Sequence, residues 1–287
     1  MVKELRQRTG SGMMECKKAL VETNGDLEAA IEAMRKSGLA KADKKASRIA
    51  ADGVISIASS GEGEAVAILE INSETDFVSK GDDFKDFATA VTKVVLNNNL
   101  KSIDELNDAT LEDGSTTVDV ARRALIAKVG ENINVRRFKK VTAANGVVGS
   151  YMHGSRIGVL VELEGGDISL AKDIAMHIAA IKPACISEAD VPKEDVEKEK
   201  DIFRSQALES GKPAEIVEKM IVGKVKKYLK EITLVGQPFV KDGDVTVGQL
   251  LEKNSAKVIS FVRFEVGEGI EKKEEDFAAE VMAQVRG

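Results

Sequence analysis

Along the first fifty positions the apolar residues recur at helical spacing. Leu27, Ala30, Ile31 and Met34 fall at i, i+3, i+4 and i+7, one stripe on one helix face. Ahead of them the pattern predicts two shorter helices, over residues 2–8 and 13–22. The run Thr9-Gly10-Ser11-Gly12 stops the first and offers Ser11 as N-cap of the second. Asn24-Gly25-Asp26 then turns the chain, with Asp26 as the next cap, and Gly38 is expected to close the third helix. Residues 1–50 are therefore expected to form a three-helix unit, followed over 41–51 by a Lys/Ala-rich linker, helical or extended.

Beyond that point the chain carries one diverged pattern twice. The first copy has Gly53-Val54-Ile55, a polar turn over 59–64, a strand over 65–71, a helix over 84–95, the apolar Leu125-Ile126 and a strand over 133–138. The second has Gly146-Val147-Val148, a turn at His153-Gly154, a strand over 157–163, a helix over 170–181, Leu250-Leu251 and a strand over 258–264. Each copy orders as hairpin, helix, helix, strand, a unit that builds a small antiparallel sheet with helices on one face. The expected class is α+β with two similar lobes. The second copy is interrupted over 187–231. Val191, Val196, Ile202 and Phe203 mark one helix there, and Ile216, Val217, Met220, Ile221, Val225, Tyr228 and Leu229 mark another. Gly211-Lys212-Pro213 separates them, with Pro213 suited to a first helical position. This predicts an antiparallel helical hairpin with a narrow apolar seam. It is an arm for dimerisation, an arm for docking, or surface decoration.

Composition narrows the class. A chain of 287 residues holds two or three modest domains. Aromatics are 4% and Trp is absent, so the cores are built from Val, Ile, Leu and Ala. No apolar run nears the roughly 18 residues of a membrane span, and the N-terminus shows no signal-peptide pattern. Two cysteines, Cys16 and Cys185, make no disulfide framework and fit a reducing cytosol. A cytoplasmic protein without membrane attachment is expected. The net charge of −6 is poor for gripping phosphate backbones, so direct nucleic-acid binding is not expected. That charge is uneven: residues 1–50 carry 11 Lys/Arg against 7 Asp/Glu, a net of +4, which leaves −10 for the remainder. A basic head on an acidic body suggests two separate surfaces, although charge alone fits a solvated helix surface as well.

Catalytic constellations are missing from the sequence. There is no phosphate loop ending in Gly-Lys-Ser/Thr, no His-Glu-x-x-His and no Gly-x-Ser-x-Gly, and Gly267-Glu268-Gly269 lacks a third glycine at dinucleotide spacing. His153 and His177 with two distant cysteines do not suggest zinc. No enzymatic activity, cofactor or metal is expected. Two features look instead like protein-binding chemistry. Thr75-Asp76-Phe77-Val78 follows a strand and precedes a very polar run; its Phe either plugs back into the core or stands out as an anchor. Met13 and Met14, adjacent at a helix start, cannot both face one small core, and Met is an adaptable contact residue.

These two features also carry a family resemblance. Met13-Met14-Glu15-Cys16-Lys17-Lys18-Ala19-Leu20 and Thr75-Asp76-Phe77-Val78 resemble the two signatures of the bacterial elongation factor Ts family. Gly130-Glu131-Asn132-Ile133-Asn134, His153-Gly154, Gly236-Gln237-Pro238-Phe239-Val240 and Phe264-Glu265-Val266-Gly267-Glu268-Gly269 follow in family order, so the resemblance covers essentially the whole chain. The family usually has several residues ahead of Val2, and residues 97–117 are longer and more polar than its pattern, as a variable surface loop would be. The resemblance implies a ubiquitin-associated-like three-helix domain (1–50), core lobe one (51–145), core lobe two (146–186 and 232–268), a coiled-coil insertion (187–231) and a C-terminal helical module (269–287). It implies a guanine-nucleotide exchange factor for the GTPase elongation factor Tu. Thr75, Asp76, Phe77 and Val78 would meet the partner near its Mg²⁺ and phosphate site. Arg6, Met13, Met14 and Lys17 would hold the same GTPase domain through the head, supported by Val129 and Gly130. His153 and Val240 would face another domain of the partner. A homodimer through the core or the hairpin is a further expectation. The alternative is a scaffold with a ubiquitin-associated-like module and no exchange activity.

Overall fold

A computed structural model describes residues 1–208 and 213–271. Three helices come first: α1 (Val2–Thr9), α2 (Met13–Glu22) and α3 (Leu27–Lys45). Leu5, Cys16, Ala19, Leu20 and Ala30 are buried among them, with Ile31 and Met34 of the predicted stripe packed alongside. Asp26 caps α3 by accepting the Ala29 N–H, as its position before the stripe predicts. Two sequence-based boundaries are corrected. The N-cap of α2 is Gly12, not Ser11, whose backbone is bonded on either side: its N–H donates to Thr9 Oγ1 at 3.3 Å and its carbonyl accepts from Cys16 Sγ at 3.8 Å. Gly38 does not end α3, which runs on to Lys45. A Cβ at Gly38 would lie 3.0 Å from Ala127 Cβ, so this glycine lets a second helix approach, and that packing overrides its weak helix propensity.

The remaining elements follow in chain order. They are β1 (Asp52–Ser60), β2 (Ala65–Ser73), α4 (Asp76–Lys80), α5 (Asp82–Asn97), α6 (Ile103–Asp108), α7 (Val118–Val129) and β3 (Ile133–Thr142), then β4 (Val147–His153), β5 (Ile157–Glu164) and α8 (Ile168–Ile181). Next come α9 (Lys193–Leu208), α10 (Ala214–Ile232), β6 (Pro238–Phe239), β7 (Asp242–Thr246), α11 (Val247–Lys253) and β8 (Lys257–Glu265). Helices with small antiparallel sheets make the class α+β. The chain divides into two compact units, one of Met1–Ser56, Leu69–Phe138 and the segment from Glu265, the other of Ile57–Ile68 and Lys139–Phe264.

The two three-stranded sheets have the same order, β1-β2-β3 and β4-β5-β8. In each, a hairpin comes first and the later strand returns beside the hairpin's second strand. β2 is buried along its whole length, as a central strand covered on both faces would be. β4 and β5 pair antiparallel from Val147 opposite Leu163 to His153 opposite Ile157. Val159, Val161 and Leu163 of β5 pack with Leu170, Ala171, Ile174 and Ile178 of α8. Gly149 allows α8 to sit against β4, since a Cβ there would lie 2.4 Å from Ala171 Cβ.

The hairpin α9–α10 closes on Ala207, Val217, Ile221 and Val225, with Val196, Phe203 and Leu229 alongside. Ile202 and Ile216, expected in that seam, are instead exposed, because the narrow seam admits their neighbours Phe203 and Val217. Pro213 is the N-cap of α10 rather than its first helical residue. Residues 97–117 are more than a variable loop. Ser102 caps α6 through the Glu105 N–H, and Leu106 is fully buried. The expected C-terminal helix over 271–285 and the Gly211-Lys212 break lie outside the described residues. Among the described residues no helix is long and apolar enough to cross a membrane. Both cysteines are free.

Candidate functional site

Strand β2 ends at Ser73, and two residues later the chain enters the five-residue helix α4. Phe77 stands on that helix with its side chain 86% exposed, so the ring is not plugged back into the core. The reason is local. Ser79, two residues on, takes the buried place and donates its hydroxyl to Asp76 O at 3.1 Å, while Val78 is half-buried. One turn of helix cannot turn both Phe77 and Ser79 toward the interior. Asp76 is paired with Lys80 at 2.6 Å, and this bond and the Lys80 charge hold its carboxyl below the usual carboxylate range.

The helix hangs from its neighbours by specific bonds. The Thr75 N–H donates to Glu131 Oε2 at 3.0 Å, and the Thr75 hydroxyl donates to Glu131 Oε1 at 2.7 Å. In return the Asn132 N–H donates to Glu74 Oε1 at 2.6 Å, and Glu74 also pairs with Arg48 at 3.5 Å. The Asn132 amide donates to Arg48 O at 2.7 Å and Ala46 O at 3.4 Å, and Lys45 Nζ donates to Gly130 O. Gly130 is the left-handed C-cap of α7, with φ 83°. The turn Gly130-Glu131-Asn132 thus ties together the end of α7, the end of α3 and the entry to α4. At the other side of α7, Lys128 pairs with Asp83 at the start of α5 at 2.7 Å, and Gly10 at the end of α1 lies beside the Lys128 side chain.

Of the residues singled out from the sequence, Met13 and Met14 are both exposed, at 60% and 73%. Arg6 and Lys17 are exposed on α1 and α2, and Val129 and Gly130 are half-buried at the end of α7. All of these belong to the same compact unit as Thr75–Val78, and Gly130 adjoins the glutamate that holds Thr75. His153 and Val240 belong to the other unit. His153 is exposed at the end of β4, 3.3 Å from the Tyr151 hydroxyl. Val240 is 44% exposed, and its N–H donates to Nδ1 of the fully buried His177 at 3.2 Å. With Nδ1 accepting, His177 carries its proton on Nε2 and donates it to Gln237 Oε1 at 2.9 Å, while Gln237 donates to Glu231 O at 2.7 Å. Burial pushes the His177 pKa down, against the opposing bond from Gln237.

Sequence reasoning missed the roles of Glu131, Glu74 and His177. Glu131 and Glu74 sit in aperiodic turns, where one carboxylate looks like any other. His177 carried a signal, since its place in an apolar helical run requires a buried partner. Among the described residues no three His, Cys, Asp or Glu side chains are grouped to hold a metal ion.

A family model described as Elongation factor TS matches residues 74–268. The protein called Elongation factor Ts in Methylococcus capsulatus (strain ATCC 33009 / NCIMB 11132 / Bath) is 63% identical over 286 residues, spanning 100% of this chain and 97% of that protein. Its namesake in Thioalkalivibrio sulfidiphilus (strain HL-EbGR7) is 62% identical over 288 residues, spanning 100% and 98%. That of Legionella pneumophila (strain Paris) is 57% identical over 286 residues, spanning 100% and 97%. With the family model matched over more than half the chain and relatives aligned from end to end, the chain belongs to the elongation factor Ts family.

Proposed function

We propose that this chain, a nucleotide-exchange factor of translation elongation, drives GDP from elongation factor Tu with the exposed face of α4 as its wedge. The observation that carries this reading is Phe77, an aromatic ring held 86% in water on a helix whose entry is bonded twice to the Glu131 carboxylate. A rigid exposed aromatic beside a charge is an efficient anchor, because little side-chain entropy is lost on docking. A GTPase holds GDP through backbone amides, a lysine and Mg²⁺. Phe77 displaces the elements that position the ion and the phosphate loop. Asp76, on leaving Lys80, competes there as an anion, and losing the ion removes the largest local positive charge on the phosphates. Val78 and Thr75 set the height and direction of the wedge.

Arg6, Met13, Met14 and Lys17 hold the GTPase domain through the head, with Val129 and Gly130 beside them, and His153 and Val240 meet another domain of the partner. The working partition is a ubiquitin-associated-like head (1–50), lobe one (51–145), lobe two (146–186 and 232–268), a coiled-coil insertion (187–231) and a C-terminal module (269–287). The chain makes and breaks no bonds: by reciprocity, a protein that weakens GDP binding is itself weakened by GDP to the same factor. It acts in the cytoplasm, without direct nucleic-acid contact, and the core or hairpin provides for a homodimer. The test is the release of fluorescent GDP from elongation factor Tu with and without this chain. Release accelerated at catalytic amounts of the chain is the expected result, and an unchanged rate overturns the reading.

A further inference from the structure

We propose that Glu131 is a positioning residue for exchange: it sets the direction in which α4 presents Phe77, and does so at little cost to folding. The inference rests on the wedge reading above. Thr75 is the N-cap residue of α4, and a threonine there ordinarily turns its oxygen back to accept an N–H of the helix's own first turn. Here it makes no such bond. Its hydroxyl is turned away and donates to Glu131 Oε1 at 2.7 Å, and its N–H donates to Oε2 of the same carboxylate at 3.0 Å. The first residue of the wedge is therefore gripped at two points by a side chain from another element. Hydrogen bonds to an ionised carboxylate are the stronger kind, and two from one residue fix orientation as well as distance.

The grip is mounted on a braced turn. Glu74, the residue before Thr75, accepts the Asn132 N–H at 2.6 Å, so the two turns exchange carboxylate-to-amide bonds in both directions. Asn132 is itself 5% exposed and bonded to Arg48 O and Ala46 O, and Lys45 binds Gly130 O. Movement of Glu131 is resisted from both sides. If its carboxylate is removed, Thr75 has a ready alternative, the ordinary cap of α4. That cap gives the Thr75 N–H no new acceptor, but Thr75 is only half-buried and water can take the bond, so the fold survives while the angle of α4 is released.

The experiment measures the maximal rate of GDP release from elongation factor Tu, and the factor concentration giving half of it, for Glu131→Ala, Glu131→Gln, Thr75→Val, Phe77→Ala and the Glu131→Ala/Phe77→Ala double variant, each also melted thermally. Displacing a positioned group by about 1 Å costs up to about 100-fold in rate, so Glu131→Ala is expected to lower the maximal rate about tenfold. Its half-saturating concentration and melting temperature should stay near those of the unaltered chain. Glutamine can accept the Thr75 N–H and donate to its hydroxyl, so Glu131→Gln should restore most of the rate. Thr75→Val, which removes one of the two bonds, should fall between. The double variant should be no slower than Phe77→Ala alone, since Glu131 acts through that ring. Should Glu131→Ala misfold, Thr75→Val against Phe77→Ala carries the same comparison. An unslowed Glu131→Ala beside a slowed Phe77→Ala overturns this inference and leaves the wedge standing, as does a double variant slower by the full product of the two effects. An unslowed Phe77→Ala overturns the wedge itself, and this inference with it.

Discussion

The two three-stranded sheets share more than strand order. Gly53 opens the first and Gly146 the second, with φ of 143° and 153°. A Cβ at Gly53 would lie 2.1 Å from Ile71 O, and one at Gly146 would lie 1.9 Å from Leu163 O, the corresponding carbonyl one strand over. Each second strand also carries a glutamate at the same place, Glu70 before Ile71 and Glu162 before Leu163. The likeness ends there. Glu70 is fully buried and meets Arg136 at 3.0 Å and Arg137 at 2.5 Å, and it accepts the Gly267 N–H at 2.8 Å. Glu162 is half-buried and accepts only a neutral bond among those described here, from Ser260 Oγ at 2.9 Å. Beyond the second strand, one sheet leads into α4 and the other turns through Gly165-Gly166-Asp167 straight into α8. The scaffold is repeated; the polar chemistry and helix α4 are not.

The sharpest way to break the comparison is at the paired glutamates. Glu70→Ala leaves two guanidinium groups and a backbone N–H without their shared acceptor. Breaking a buried ion pair costs about 3–5 kcal/mol, and the partial exposure of both arginines places this one near the lower end. Glu162→Ala forfeits one hydrogen bond, worth about 1 kcal/mol. Denaturant midpoints of the two variants should differ accordingly, and equal losses would mean that the charged cluster contributes nothing beyond its counterpart.

Next in size is Phe77→Ala, in the element that only the first sheet possesses. The ring has almost no buried area to lose, so the melting temperature should stay within about 1 °C, since surface changes fall within about 0.5 kcal/mol. Exchange on elongation factor Tu should fall about 30-fold, the equivalent of a hot-spot loss of about 2 kcal/mol. A variant that melts normally and exchanges at the original rate ends the wedge reading.

A smaller difference concerns pH. Counted from the first residues of α5 and α8, Asp82 and Ile168, Val91 stands where His177 does. His177 is held neutral, with its folded pKa below the unfolded value of about 6.5. Between those two values the unfolded chain binds the extra proton, so the His177 contribution is full above about pH 6.5 and is lost as pH falls toward the lowered folded value. His177→Gln should flatten that slope in urea melts at pH 5 to 7, and an identical slope would remove His177 from the titration. The smallest effect is expected from deleting residues 187–231, which makes the second copy like the first. Exchange should stay within about threefold of the intact chain, as nothing in the wedge lies there, and complete loss in a deletion variant with native circular dichroism would place a partner contact on the hairpin.

What the sequence made legible follows from which forces act locally. The bounds of α2, the Asp26 cap and a sheet order that occurs twice rest on periodicity and turn chemistry, and these are found in the fold, whereas four helices rather than two stand between hairpin and strand in the first copy. Gly38 was misleading because a glycine that stops a helix and one that admits Ala127 look alike until the neighbour is known. Helix α6 was hidden because its one buried anchor, Leu106, lies in an otherwise polar stretch. For Phe77 both placements were open in the sequence. The choice between them falls to Ser79 and to the Glu131 grip on Thr75, 56 residues away in the chain and beyond any local pattern.

The exposure of Phe77 also has a calorimetric meaning. A ring that stands in water before docking sheds that water when the partner covers it, and burying apolar surface lowers heat capacity. If Phe77 docks as proposed, then at about 0.45 cal/K/mol per Å² over the roughly 200 Å² of an aromatic side chain this one residue would account for about 0.1 kcal/mol/K of the heat-capacity drop on complex formation. On that reading assembly with the GTPase releases more heat as temperature rises, and the ring's share of that trend is fixed before the two proteins meet.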